Sequence, residues 1–206
     1  IDLPFSFPYW DQTYNEISVC SNGWISFGAS EFYFFRNRPV PGPLTPNAAI
    51  MAQWDDLVVD NNNSGVYAYH DTVNGWFTIE WYRVWHYTDL DWIGNPEGPP
   101  MHLQIRLLDP AVHGAPGDLG MIAILYRDTR NPESDENYLT MGINSPDGRE
   151  GLQYEFNDIP SETAAGVVHG RQLLIASAYA LEPAHLSYSP PVLQMNAEAG
   201  SVAGGE

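Results

Sequence analysis

The sequence predicts an all-β fold, an antiparallel β-sandwich of jelly-roll-like character with an extended C-terminal tail. Three observations carry this reading. Apolar residues recur with period two, as where Phe77, Ile79 and Trp81 alternate with Thr78, Glu80 and Tyr82; such a strand buries one face and exposes the other. Turn signals separate the runs: Asn22-Gly23, Asn74-Gly75, Asp147-Gly148 and the polar stretch Asp60-Asn61-Asn62-Asn63-Ser64-Gly65. Finally, 18 glycines and 17 prolines punctuate the chain, which suits many short strands in a sandwich or jelly roll better than helices.

In chain order, Ile17–Cys20 and Trp24–Phe27 read as strands joined by the tight turn at Asn22-Gly23. Ala48–Trp54, Val66–His70 and the Phe77 run follow. Met101, Leu103, Ile105 and Leu107 alternate with His102, Gln104 and Arg106. Leu119–Arg127 is more uniformly apolar and suits a strand covered on both faces. Tyr138–Ile143, Leu152–Phe156 and Gln172–Ala176 complete the set. Only Ser161–Val168 offers a helical turn or two, with Ser161 as its cap. Three loops are long: Arg36–Pro46, whose prolines 39, 41, 43 and 46 favour an extended path, then Thr88–Pro100 and the acidic Asp128–Asn137.

The character changes after Ala178, which divides the chain into a sandwich domain (1–178) and a linker with an extended tail (179–206). Within the tail, Tyr188-Ser189-Pro190-Pro191 reads as linker. Val192, Leu193, Gln194 and Met195 form a candidate strand, and Asn196–Glu206 is small and polar. This domain or a neighbouring subunit is the expected docking surface, and in the second case the strand is donated to the next subunit's sheet.

Composition narrows the chemistry. At 206 residues, with 44% hydrophobic and 13% aromatic residues, the chain can bury a core without disulfides. Its single cysteine, Cys20, excludes an intrachain disulfide and a cysteine-based zinc site, and its strand neighbours mark it as a small buried residue. No run approaches the roughly 18 apolar residues of a membrane span. The opening Ile1-Asp2-Leu3-Pro4-Phe5 is unlike a signal peptide and fits a processed or trimmed terminus. Acidic residues outnumber basic ones 26 to 8, for a formal charge of −18, and the basic ones are all arginine. Such a surface repels nucleic acid and anionic membranes. Without lysine, no Schiff-base, pyridoxal-phosphate or Walker-type chemistry can run on this chain.

The ordered segments Leu3–Trp10, Ile17–Gly28, Ala49-Ile50-Met51-Ala52-Gln53-Trp54-Asp55-Asp56-Leu57, Gly65–Tyr69, Phe77–Val84, His102–Asp109, Met141–Asn144 and Asp147–Tyr154 together resemble a known module. It is a bacterial extracellular β-sandwich related to the NIDO domain of animal matrix proteins, which accompanies secreted peptidases and sorted surface proteins. The resemblance covers roughly residues 3–176 and centres on Ser21-Asn22-Gly23-Trp24-Ile25-Ser26-Phe27-Gly28. It implies a secreted or cell-surface location and a non-catalytic accessory or interaction role, with self or other domains of a surface protein as partners. The tail and the loops at Thr88–Pro100 and Asp128–Asn137 depart from the pattern.

Three constellations could carry chemistry. Asp55 and Asp56, with Asp60, Asn61 and Asn63, offer oxygen ligands of the kind calcium takes. The alternative is that Trp54 is core and an adjacent aspartate caps a turn. Asp89, Asp91, Asp109 and Asp118 are further oxygen donors. Trp76, Tyr82, Trp85, Tyr87 and Trp92 gather around one strand and the loop after it, an arrangement that could stack sugar rings, so a glycan is the alternative ligand. Trp76 and Tyr82 are expected on the outer face with Thr78 and Glu80; the plainer alternative is that these rings only cover the sheet. Enzyme signatures are missing: no Gly-x-Ser-x-Gly, no His-Glu-x-x-His, no phosphate loop, and no metal spacing among the six histidines. A hydrolase built on Glu80 and a second carboxylate is the least favoured reading. No cofactor other than calcium is expected.

Overall fold

A computed structural model describes residues 1–60, 63–91, 94–114, 119–131, 138–177 and 193–197. Alternation folds as expected into β1 (Asp2–Tyr9), β2 (Gln12–Cys20), β3 (Trp24–Phe27), β4 (Ala49–Trp54), β5 (Leu57–Val58), β6 (Gly65–Asp71) and β7 (Trp76–His86). After them come β8 (Met101–Leu108), β9 (Ile122–Asp128), β10 (Thr140–Asn144), β11 (Gly151–Phe156), β12 (Ile159–Pro160), β13 (Arg171–Ser177) and β14 (Leu193–Ala197). The first sheet has the spatial order β1-β2-β3-β4-β10-β11-β12. The second runs β14-β13-β9-β8-β7, and β5 and β6 both pair with β7. All these pairs are antiparallel except β13 with β14. The chain is thus an all-β sandwich.

The inward residues of both sheets make one core. Phe7, Ile25, Phe27, Ile50 and Ile143 of the first sheet meet Ile79, Trp81, Leu103, Ile105, Ile124 and Ile175 of the second. Phenols that enter it are hydrogen-bonded, as burial requires. Tyr9 donates to the carbonyls of Ala49 (2.7 Å) and Asn144 (3.0 Å), and Tyr126 donates to Ala52 O at 2.6 Å. Loss of hydration pushes both phenols well above the usual tyrosine range.

Gly23 shows why the turn before β3 needs that residue. Its φ is +81°, and a Cβ would lie 1.8 Å from Gln53 O. Its own carbonyl accepts from the amides of Ala52 and Gln53, so the turn is stitched to β4 as well as joining β2 to β3.

The helical expectation moves elsewhere. Ser161–Val168 forms no helix, because its polar groups serve the sheet instead. Ser161 N–H donates to Tyr154 O, the Ser161 hydroxyl donates to Gln153 O, and Val167 N–H donates to Glu155 at 3.5 Å. Among the described residues the α-helix is one turn, α1 (Pro110–His113), capped by the Asp109 carboxylate on Ala111 N–H, with proline at its start.

Candidate functional site

The acidic pair Asp55-Asp56 sits where the two sheets meet at one end of the sandwich. Asp55 follows β4 of the first sheet and lies fully buried against His86, the last residue of β7. The Oδ1 of Asp55 is 3.0 Å from His86 Nε2 and accepts the Asp56 amide at 2.7 Å. The Nδ1 of His86 accepts the Thr88 amide at 3.1 Å and lies 2.7 Å from the Thr88 hydroxyl. With Nδ1 accepting, the ring proton lies on Nε2 and is donated to Asp55. His86 thereby caps the 3-10 turn Tyr87–Asp89, with Asp89 returning a bond to the His86 amide. The hydroxyl–imidazole–carboxylate order imitates a nucleophile relay, but here the imidazole is wholly buried and Nδ1 is occupied by a backbone amide. A clamp between sheets is what these contacts build.

The residues named as candidate calcium ligands are placed as follows. Asp55 is drawn inward to meet His86, the carbonyl of Asp56 accepts Tyr87 N–H, and the carbonyl of Asp60 accepts the Ser64 hydroxyl. Asn63 occupies a left-handed turn position, and Asn61 lies outside the described residues. Among the described residues no three His, Cys, Asp or Glu side chains are grouped to hold a metal ion.

The aromatic set divides three ways. Trp76 and Tyr82 lie on the outer face of the second sheet with Thr78 and Glu80, as alternation requires. Trp85 does not join them because the loop at Gly98 covers it; the bulge at Arg83, with φ +55° and a register shift against β8, resets the alternation so that Val84 enters the core. The Trp85 ring is only 3% exposed, and its N–H donates to Gly98 O at 2.9 Å. Tyr87 is exposed on the 3-10 turn that follows β7, and Trp92 is outside the described residues.

The rings most open to solvent on this face are two that the cluster around β7 does not include. Tyr67 and Tyr69 on β6 are 51% and 65% exposed, opposite Glu80 and Thr78 in the ladder. Their period-two spacing in Val66–His70 was the signal available. Together with Asp71, Trp76, Thr78, Glu80, Gln104 and Arg106 they line a groove of about 250 Å³. Trp76 forms its wall: the Arg106 guanidinium lies 4.8 Å over the indole, and His113 stacks on it at 6.4 Å. The groove's polar groups are held in a relay. Arg106 Nη2 donates to Gln104 Oε1 at 2.8 Å, and Gln104 Nε2 donates to Glu80 Oε1 at 3.0 Å. The Asn74 side chain bonds Asp71 and holds its carboxyl below the usual aspartate range.

A second groove of about 360 Å³ adjoins the first and shares Glu80, Gln104 and Arg106 with it. It continues across the sheet to Arg127, Arg171 and Gln172. At its rim Asp128 sits between two imidazoles, 2.9 Å from His102 Nδ1 and 2.9 Å from His169 Nδ1. The His102 contact meets ion-pair distance but not hydrogen-bond geometry. Cys20, half-buried as expected of a packing residue, has its thiol pushed up by burial, the opposite of an activated nucleophile.

Of the tail residues proposed as a donated strand, Leu193, Gln194 and Met195 lie in β14. It runs parallel to β13 of the same chain, from Leu173↔Leu193 to Ser177↔Ala197. Val192 is outside the described residues. No curated protein and no solved structure matches the chain. A family model described as NIDO related does match, over residues 1–169, in agreement with the sandwich and with the ordered segments around Ser21–Gly28, and the chain belongs to that family.

Proposed function

We propose that the chain is a non-catalytic extracellular module that acts by protein–protein interaction, as a subunit of a surface assembly joined through its C-terminal strand. One observation supports this above others: the edge of the second sheet at β13 accepts β14 in a five-pair parallel register. Parallel neighbours cannot be joined by a tight turn and need about a dozen or more residues between them. Residues 178–192 supply that reach, and a connection so long can bring the strand to its own β13 or to the β13 of an adjacent copy. Supplied in trans, the same ladder makes a head-to-tail contact, which propagates into a filament when the rotation does not close. Removing residues 187–206 tests this by sedimentation velocity over a concentration series. The intact chain is expected to associate with rising concentration and the truncated chain to stay monomeric. Equal association of the two would overturn strand donation.

A further inference from the structure

We infer that the outer face of the second sheet is a binding site for an acidic oligosaccharide, with sugar rings against Tyr67 and Tyr69 and a uronate carboxylate on Arg106, Arg127 and Arg171. The first support is shape. The two grooves share Glu80, Gln104 and Arg106, so they form one trough that crosses the strands from β6 towards β13. An elongated ligand fits such a trough, whereas a compact one would fill only half of it.

The second support is the distribution of charge. The chain carries 26 acidic and 8 basic residues, yet three of those eight, Arg106, Arg127 and Arg171, line the second groove. At about 0.1 M salt, charges beyond roughly 10 Å are screened, so a ligand in the trough feels chiefly the groups beside it: these arginines, Glu80 and Asp71, and Asp128, which lies 3.6 Å from Arg127 Nε. The planar guanidinium suits a carboxylate, which it can bind by two parallel hydrogen bonds.

The third support is the kind of contact on offer. Tyr67 and Tyr69 expose much of their side chains beside the polar groups of the groove, the pairing that suits a pyranose with one apolar face and polar edges. Glu80, Gln104 and Arg106 are oriented by one another, and Glu80 Oε2 has no hydrogen-bond partner among the described residues; it remains to accept a sugar hydroxyl. Groups held in place before binding lose little entropy on contact. A peptide is a poorer fit here. Extended peptides take their affinity from unpaired main-chain groups at a sheet edge, whereas β7 and β8 are laddered on both sides.

The test uses the intact chain and isothermal titration with oligogalacturonate and oligoglucuronate hexamers, the methyl-esterified forms of both, a neutral glucose hexamer and a glutamate hexapeptide. At least one uronate is expected to bind, and its methyl ester to bind roughly tenfold more weakly. Arg127→Gln with Arg171→Gln, and separately Tyr69→Ala, should each weaken binding roughly tenfold, the sum of two surface ion pairs or one ring contact. Arg127 is 77% and Tyr69 65% exposed, so Arg127→Gln and Tyr69→Ala should keep the near-ultraviolet circular dichroism of the parent; Arg171 is half-buried and bonds the Tyr154 phenol, so Arg127→Gln is also titrated alone and should weaken binding by a few-fold. No uronate binding, equal affinity for ester and acid, equal affinity for the glutamate peptide, or indifference to both variants would each overturn the proposal. Oligomeric state is a separate reading, so failure here leaves strand donation to stand or fall alone.

Discussion

The two sheets treat their outer faces differently, although each face is rich in aromatic residues. On the first sheet Trp24, Met51 and Trp54 point away from the central core and are nevertheless buried, joined by Val40 and Phe32 from the segment that crosses over them. On the second sheet Tyr67 and Tyr69 stay in solvent, and a smaller apolar cluster of Leu108, Met121, Ala123, Leu174 and Ala176 occupies another part of that face. The difference lies in what crosses each face. The stretch between β3 and β4 is pinned to the first sheet: Trp54 Nε1 donates to Phe34 O at 2.9 Å, Thr140 Oγ1 to Arg38 O at 2.8 Å, and Asn144 Nδ2 to Thr45 Oγ1 at 2.8 Å. Asn37, itself buried, donates to Thr140 and Asn157. Its prolines shorten the list of backbone donors that a buried segment must satisfy. The lesson is that an aromatic side chain on a strand becomes core or contact surface according to the loop that reaches it.

Substitutions on the two faces should separate them. Trp54→Ala, on the covered face, removes a fully buried ring and the bond to Phe34 O. It is expected to cost about 3–5 kcal/mol, read as a lower midpoint in urea with the slope unchanged; a cost below about 1 kcal/mol would mean that the crossing segment is not a third layer of core. Where the sheets meet, His86→Ala leaves Asp55 buried, with Oδ2 already lacking a hydrogen-bond partner among the described residues. A cost of about 3 kcal/mol is expected from the stranded carboxylate, and Asp55→Asn with His86→Ala should recover part of it. If the double variant is no better than the single, the clamp is not what holds this junction. On the open face, Tyr67→Ala should change stability by no more than about 0.5 kcal/mol, measured in the same titration. A loss comparable to that of Trp54→Ala would show that the outer face of the second sheet is structural after all.

Much of this fold was legible in the chain. Strict alternation in Trp76–Tyr82 and Met101–Leu107 identified both strands and their inner faces, since period two follows from backbone geometry alone. Asn22-Gly23 was legible as a turn because few residues accept a positive φ. Pairing with distant residues was not legible. The contact of Asp55 with His86 joins residues 31 apart, and local spacing carries no sign of it. The bulge at Arg83 leaves no mark in composition, and neither does the bond from Trp85 to Gly98 O that keeps this ring out of the cluster. Tyr67 and Tyr69 were visible in a recognised strand, but only the pairing of β6 with β7 places them beside Glu80. Likewise Arg106, Arg127 and Arg171 lie on three different strands, and their meeting is a product of the order β13-β9-β8.

By itself, then, the sequence determined the all-β class, most strand positions, the turn at Gly23 and the absence of lysine and disulfide chemistry, because these depend on neighbours within a few residues. Tertiary structure alone decided which aromatic face is covered, that Asp55 is sealed against His86, and that three of the scarce arginines share one trough. Each of those is a contact between strands far apart in the chain, and sequence spacing carries no record of which strands lie side by side.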